Sequence, residues 1–228
     1  MSEDTDLSKR ILDCALSLAE QRSWEAVRLH DVATALAITL DQIRPYYAEK
    51  EDLVEAWFDR ADHAMLEATA SPEFLRLSSR QRLHWALMSW LDALASHRQV
   101  TRQMIRGKLE PGHLHIQVPA LMRISRTVQW MREAAHRDAT YGRRALEETG
   151  LTGIYLLTFL RWMRDRSAGF TDTRRFLDRM LRRFEDLSRF SCGHAAKDER
   201  LRETAAPPLR TAAAANSEVA KPKSEGLS

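Results

Sequence analysis

The chain has 228 residues, a mass of 26.2 kDa and a formal net charge of +3, which is enough for one or two domains with a sizeable core. Only two cysteines occur, Cys14 and Cys192, and no signal-peptide core or apolar run of transmembrane length is found, so we expect a reducing, cytoplasmic location without an integral membrane segment. Hydrophobic content of 44%, 8 Gly and 7 Pro, with no convincing strand alternation, predicts an all-α fold.

A head of three helices is predicted at the amino-terminal end. The first helix has apolar residues at helical spacing, namely Ile11, Leu12, Ala15, Leu16, Leu18 and Ala19. Residues 28–53 then form a short helix, a tight turn, a second short helix and the entry to a longer third one. Thr39 and Gln42 make a capping box that starts the second short helix, and we expect Leu40 and Ile43 to face back toward the first short helix. This layout is typical of a helix-turn-helix DNA-binding domain.

Two features of this head are unusual for a domain that binds DNA. Pro45 lies five residues past Leu40, where it removes a helical hydrogen bond, so the second helix must be one turn long or kinked. Residues 1–60 contain seven basic and thirteen acidic residues, a net charge of −6. Counterion release from phosphates normally requires a basic surface. The excess positive charge of the chain therefore lies outside the head.

Residues 8–58 resemble the tetracycline-repressor (TetR) family, on the segments ILDCALSLAEQRSWEAVRLHDVATALAI and YAEKEDL. That family usually has Gly where Ala37 stands, because the turn often needs a positive φ, and a non-Gly residue there costs about 1 kcal/mol. It also favours Thr in place of Arg28 and Tyr in place of Arg44. The resemblance implies that the second short helix enters the major groove, with a DNA-contacting set of Arg28, His30, Thr39, Asp41, Gln42, Arg44, Tyr46 and Lys50, the last on the DNA backbone.

Downstream of the head, further helices are predicted between clear breaks. The long helix that begins near Leu53 runs to about Ser71-Pro72, and a Ser78–Gln81 capping box starts the next helix. The remaining predicted elements are a helix at about 98–107, a loop at 108–115, a helix opened by Pro119, and two final helices at about 139–166 and 172–190. The predicted domains are a head at 1–52, a helical body for effector binding and dimerisation at 53–190, and a disordered tail at 191–228.

The last two predicted helices carry apolar stripes, and the second of them has arginines on its opposite face. Part of each stripe must be intramolecular core. The TetR resemblance implies in addition that these helices pair with their two-fold mates in a homodimer. The predicted interface residues are Leu160, Met163, Phe176, Leu177, Met180 and Phe184.

A second resemblance covers residues 119–184. The segments Gly150–Tyr155 and Phe170–Asp178, with Asp165 between them, are similar to the lipid-binding accessory family of ubiquinone biosynthesis. That family has the TetR fold with a degenerate helix-turn-helix and carries isoprenoid lipids. It also has a further amphipathic membrane helix, whereas residues 192–228 of this chain lack an apolar face.

Both resemblances imply a cavity inside the helical body for a hydrophobic small molecule or lipid. The candidate lining is rich in Met and aromatic side chains, which suit a large apolar ligand. These residues are Trp85, Met88, Met104, Met122, Trp130, Tyr155 and Trp162. The alternative for each of them is ordinary core packing.

Catalytic signatures are weak. His113 and His115 lie in a predicted loop, and the sequence contains no His-Glu-x-x-His run, cysteine pair at ligand spacing, or glycine-rich phosphate loop. Asp165, close to several arginines, is predicted to form a structural ion pair rather than to act in acid–base chemistry. We therefore expect a non-enzyme without metal or cofactor.

The sequence favours a homodimeric TetR-type transcriptional regulator that binds double-stranded operator DNA and responds to a hydrophobic effector. The alternative is a lipid-binding accessory protein of the ubiquinone-biosynthesis type, with a degenerate helix-turn-helix. A helical scaffold with neither ligand is a third, weaker option.

Overall fold

A computed structural model describes the backbone of residues 2–108, 126–133 and 141–187, and the side chains of 6–106, 126–133 and 148–187. The chain divides into two compact units, residues 1–185 and 186–228, and of the second unit only residues 186 and 187 are described. Its described residues contain helices and no strand, so the predicted all-α fold is confirmed. No helix in these ranges is long and apolar enough to cross a membrane.

Ten helices are described, and they are numbered here in chain order. The first four are α1 (Ser2–Gln21), α2 (Leu29–Leu36), α3 (Leu40–Ile43) and α4 (Lys50–Thr69). The next three are α5 (Pro72–Leu75), α6 (Ser79–Ala93) and α7 (Arg98–Lys108), with a 3₁₀ turn at Ala95–His97. The last three are α8 (126–133), α9 (Tyr141–Arg164) and α10 (171–187), with a second 3₁₀ turn at Ala168–Phe170.

The turn between α2 and α3 has the backbone conformation that the sequence predicts. Ala37 lies in the left-handed region, at φ 53° and ψ 42°, and its amide caps the carbonyl end of α2. The amide of Ile38 donates to the carbonyl of Ala33 at 3.0 Å, which completes a Schellman-type ending. The chain can therefore reverse direction within three residues. The positive φ is less favourable for alanine than it would be for glycine, because alanine has a Cβ.

Helix α3 is a single turn. Because Pro45 has no N–H, the carbonyl of Asp41 receives no helical hydrogen bond, and regular helix ends at Ile43. Two further amides, those of Tyr46 and Tyr47, both donate to the carbonyl of Ile43 at 3.0 Å. Of the two outcomes predicted for Pro45, the structure has the one-turn helix and not a kinked one.

One expectation for this helix is wrong. Ile43 is buried, but Leu40 is 51% exposed, so it does not join Ile43 on the buried face that packs toward the first short helix. The inward face of this segment is formed by Ile43 and Tyr47, which are four residues apart, so Leu40 falls outside it. The Tyr47 hydroxyl contacts the Ser8 hydroxyl of α1 at 2.9 Å and anchors the end of the segment.

The body is built on the packing of α4 against α6 and of α6 against α9. A continuous series of aromatic contacts crosses this core, in which successive rings lie 5.3–6.3 Å apart: Phe58, Trp90, Tyr155, Phe159, Trp162 and Phe170. One carboxylate lies inside it. Asp62 accepts hydrogen bonds from the Trp90 indole at 2.7 Å and the Thr127 hydroxyl at 3.0 Å, which compensates for its burial.

The joint between α9 and α10 is organised by Asp165, whose side chain is buried. Its carboxylate accepts hydrogen bonds from the amides and hydroxyls of Ser167 and Thr173, at 2.6–2.8 Å. Burial alone would raise the pKa of this carboxyl, but these hydrogen bonds to its ionised form outweigh burial and hold the pKa well below 3.8. The predicted ion pair is replaced by a capping site, because Arg98 donates to the Asp165 main-chain carbonyl instead.

The predicted helix boundaries agree well where they are described. Helix α4 ends at Thr69, and Pro72 begins the short helix α5, for which the Ser71 hydroxyl accepts from the Phe74 amide. The capping box that starts α6 is confirmed. The segment around His113 and His115, the helix start at Pro119 and the tail at 192–228 lie outside the described residues. The domain boundaries at 52 and 190 stay predictions.

Candidate nucleic-acid interface

The side chains around α3 are presented to solvent in an ordered way. Thr39, Asp41, Gln42 and Arg44 are exposed, and Tyr46 is half-buried. The Thr39 hydroxyl accepts from the Gln42 amide at 3.3 Å, while Gln42 Oε1 accepts from the Thr39 amide at 2.9 Å. The predicted capping box is therefore confirmed, and it engages Thr39 and one end of Gln42 within the protein. Asp41 and Arg44 have no such local role.

The start of α2 has an unusual cap. A guanidinium cannot accept a hydrogen bond, so Arg28 does not cap the helix with its side chain, but Asp31 Oδ2 accepts from the Arg28 amide at 3.0 Å. Asp31 Oδ1 also lies 3.6 Å from Arg22 Nη1 and 3.5 Å from His30 Nε2. One carboxylate thus offsets the charge of Arg22 and orients His30, while the exposed Arg28 side chain has no ion pair among the described residues.

Lys50 has partners other than the predicted DNA backbone. Its ammonium donates to the main-chain carbonyls of Trp24 and Glu25, and lies 4.8 Å from the centre of the Trp24 ring. Burial is the main cause that lowers the pKa of Lys50, and the charge of Arg28 lowers it further. Because two of its three N–H donors are used inside the head, Lys50 joins the start of α4 to the α1–α2 corner. Contact of Lys50 with the DNA backbone stays a prediction.

The corner between α1 and α2 also makes hydrogen bonds to the body, and the sequence did not predict them. The Trp24 amide donates to Gln103 Oε1 of α7 at 2.6 Å, and His97 Nδ1 lies 2.7 Å from Glu20 Oε1 at the end of α1. Beneath these contacts the Trp57 indole donates to the buried Thr101 hydroxyl at 2.9 Å. No local pattern could have found these pairs, since they join residues 44 to 79 positions apart.

An open cleft of about 460 Å³ lies beside α3, between α1 and α4. Arg44 and Tyr46 line it together with three carboxylates of α4, those of Asp52, Glu55 and Asp59. These three carboxylates are three of the thirteen acidic residues among residues 1–60, and they belong to α4 and not to α2 or α3.

The predicted pocket residues do not form one set. Met88, Met104, Tyr155 and Trp162 are buried, and their role as a ligand lining stays a prediction. Two tryptophans contradict the prediction, because Trp85 is 40% and Trp130 is 48% exposed. Each lies on the outer flank of a helix whose buried face is formed by other residues, Leu83, Ala86 and Leu87 in α6, and Thr127, Val128 and Met131 in α8. Met122 lies outside the described residues.

The predicted dimer residues also divide. Leu160 is exposed, and Leu156 and Leu157 beside it on α9 are exposed too. Met163, Phe176, Met180 and Phe184 are half-buried. Leu177 is fully buried against the same chain, so its assignment to an interface is wrong: it faces the body together with Thr173 and Leu181, at helical spacing. The Phe184 ring packs against Gly150, so a Cβ at this position would require the ring to shift.

Helix α3 occupies the position of a recognition helix, and it lies in a three-helix head on a helical body. This arrangement is that of the helix-turn-helix class of proteins. Comparison with known proteins identifies the family within this class. The solved structure of the TetR transcriptional regulator from Nitrosomonas europaea ATCC 19718 has 54% sequence identity and a TM-score of 0.70, covering 77% of this chain and 96% of that chain. This chain therefore belongs to the TetR family of transcriptional regulators.

Two further matches agree with the sequence analysis. A TetR transcriptional regulator from Rhodococcus sp. RHA1 shares the fold, with 22% identity and a TM-score of 0.55, covering 75% of this chain and 93% of that chain. The COQ9 family model matches residues 130–188, so the predicted resemblance to the ubiquinone accessory family is confirmed for the carboxy-terminal region. No curated protein matches the chain.

Proposed function

We propose that this protein binds operator DNA as a homodimer and changes its operator affinity when a hydrophobic effector enters the body. The observation that carries the proposal is the capped, one-turn α3, whose exposed side chains Asp41 and Arg44 make no hydrogen bond or ion pair with the described residues. Family membership supports it, since the relative that is 54% identical is a transcriptional regulator. Operator binding requires access to the chromosome, so the proposal includes a cytoplasmic location.

Positive charge for phosphate contacts is available, though scarce. Four cations of the head are exposed and have no ion pair among the described residues: Lys9, Arg10, Arg28 and Arg44. Each phosphate contact releases a counterion and strengthens binding at low salt. A dimer with at most about four such contacts per head, and so about eight in all, would lose affinity steeply as the salt concentration rises.

The dimer proposal rests on the outer face of α9. Leu156, Leu157 and Leu160 form an exposed apolar patch there, and half-buried Met163 continues it. Contiguous exposed leucines are unfavourable in water unless a partner covers them. A second copy of the chain, related by a two-fold axis, would bury the same patch on both protomers.

The effector proposal rests on the aromatic core between α6 and α9. Two buried polar atoms in it, Thr158 Oγ1 and Trp162 Nε1, have no hydrogen-bond partner among the described residues. Leaving such donors unpaired costs free energy that a ligand oxygen would recover. An apolar effector with at least one carbonyl or hydroxyl group suits these side chains. Its preference for one separation of the two heads would shift operator affinity.

The test is binding of the purified protein to its own upstream intergenic DNA, by gel shift and footprinting over a range of salt concentrations. We expect a discrete footprint and an affinity that falls as salt rises. A matched control is the Arg28→Ala, Arg44→Ala double variant, which should fold normally and bind much more weakly. Absence of sequence-selective binding at low salt would overturn the proposal.

The second candidate function is that of a lipid-binding accessory protein, and the COQ9 family match at residues 130–188 favours it. Mass spectrometry of protein purified without detergent distinguishes the two. Co-purifying isoprenoid or acyl lipid, together with no operator binding, would favour the accessory function. Repeatedly lipid-free protein would count against it. Lipid together with a footprint would identify the lipid as the effector.

A further inference from the structure

Leu40 stands apart from the other apolar residues of the head. It is 51% exposed, and among the described side chains of residues 6–52 it is the one large hydrophobic residue in the exposed class. It occupies the first position of α3, where the core face already belongs to Ile43 and Tyr47. The head therefore holds an aliphatic side chain in water at the start of its proposed DNA-reading element, without gaining core packing from it.

The neighbours of Leu40 restrict what α3 can use for recognition. Thr39 and Gln42 are bonded to each other in the cap, and Pro45 has no amide donor. Asp41 is adjacent and exposed, and its carboxylate is repelled by phosphates but can accept from the amino group of a base. The start of α3 is thus unsuited to the DNA backbone and suited to base edges.

Base edges in the major groove offer a single apolar feature, the C5-methyl group of thymine. We propose that Leu40 contacts a thymine methyl in each operator half-site and is a specificity-determining residue. This inference rests on the proposed operator binding. It also gives the exposure of Leu40 a physical reason, since the methyl contact would remove apolar surface from water on both partners.

The experiment begins with selection of bound duplexes from a random pool by the wild-type protein. Each thymine of the selected site is then replaced singly by deoxyuridine, which deletes the methyl group and leaves the hydrogen-bonding edge unchanged. We expect the wild type to lose about fourfold in affinity at one thymine per half-site, the value for burial of one methyl-sized group. Leu40→Ala should bind the thymine and uracil duplexes equally at that position.

A matched control is Leu75→Ala. Leu75 is 55% exposed and lies in α5, outside the head, so its truncation should leave the thymine preference intact. Thermal melting of both variants should match the wild type, because neither side chain is buried. A binding difference can then not be assigned to misfolding.

The outcomes separate this inference from the function on which it rests. No enrichment from the random pool would overturn operator binding itself. Enrichment followed by indifference of the wild type to every thymine methyl would overturn the role of Leu40 alone, and so would full discrimination retained by Leu40→Ala. Loss of discrimination in Leu40→Ala but not in Leu75→Ala would establish it.

Discussion

The side-chain carbonyl of Gln103 accepts a hydrogen bond from the main-chain amide of Trp24 at 2.6 Å, across 79 residues of sequence. On the other side of the same residue, the Lys50 ammonium binds the Trp24 carbonyl and lies over its ring. The corner between α1 and α2 is therefore held by α7 from one direction and by α4 from another. This corner therefore connects the head to the body through hydrogen bonds of Trp24.

Gln103→Ala tests the strength of this link. Truncation leaves the partly buried Trp24 amide without its acceptor, so we expect the free energy of unfolding to fall by about 1–2 kcal/mol. Urea denaturation measures the loss, and hydrogen exchange should show faster opening at residues 22–28. Gln129→Ala is the control, since Gln129 is exposed and makes one long contact of 3.4 Å with Glu148, and it should be neutral. Equal stability of the two variants would refute a structural role for Gln103.

Lys50 and Arg44 should respond in opposite ways to truncation. Lys50→Ala removes charged hydrogen bonds to two carbonyls, and we expect a loss of about 1–3 kcal/mol in stability. Arg44→Ala should leave stability unchanged and reduce the salt dependence of operator binding by about one counterion per protomer. Denaturation and salt-titrated binding, measured on both variants, check the pair. A destabilised Arg44→Ala, or an unaffected Lys50→Ala, would contradict this division of roles.

Asp165→Asn tests the capping site between α9 and α10. The amide can accept at only one of its two ends, so we expect a loss of roughly 2–4 kcal/mol at pH 7. Because the pKa of Asp165 is lowered from 3.8 in the folded protein, its stabilisation is present above about pH 4 and is lost as pH falls below that value. The stability gap between wild type and variant should therefore be constant above about pH 5 and shrink progressively as the pH falls below about 4. A gap independent of pH would be inconsistent with an ionised Asp165.

Leu157→Glu tests the proposed dimer. Leu157 is 48% exposed on the outer face of α9, so a charge there should not disturb the fold of the protomer. In a two-fold interface it would place two like charges in an apolar contact, and sedimentation equilibrium should show a shift from dimer to monomer. Leu75→Glu, an equivalent change on α5, should leave the protein dimeric in the same measurement. If Leu157→Glu remained dimeric, the dimer interface would not lie on this face of α9.

Several features of this protein follow from the sequence alone, because they depend on neighbours within five residues. The Thr39–Gln42 capping box, the positive φ of Ala37 and the single-turn α3 before Pro45 are set by local hydrogen bonding and backbone sterics. The helical periodicity of the body is a local pattern in the same sense, whereas the two family resemblances rest on longer segments of sequence, residues 8–58 and 119–184.

Only the tertiary structure decided which of these side chains remain available for function. The Lys50 ammonium donates a hydrogen bond to a main-chain carbonyl at the α1–α2 corner, and Leu177 is buried in the core. The Asp165 carboxylate accepts hydrogen bonds from hydroxyls beyond the turn that follows α9. Leu40, predicted to face inward, and Trp85, predicted to line a pocket because it is aromatic, are both exposed. The reason is that a helical period defines a face but not its partner, since the choice among neighbouring faces is made by packing between residues far apart in the chain.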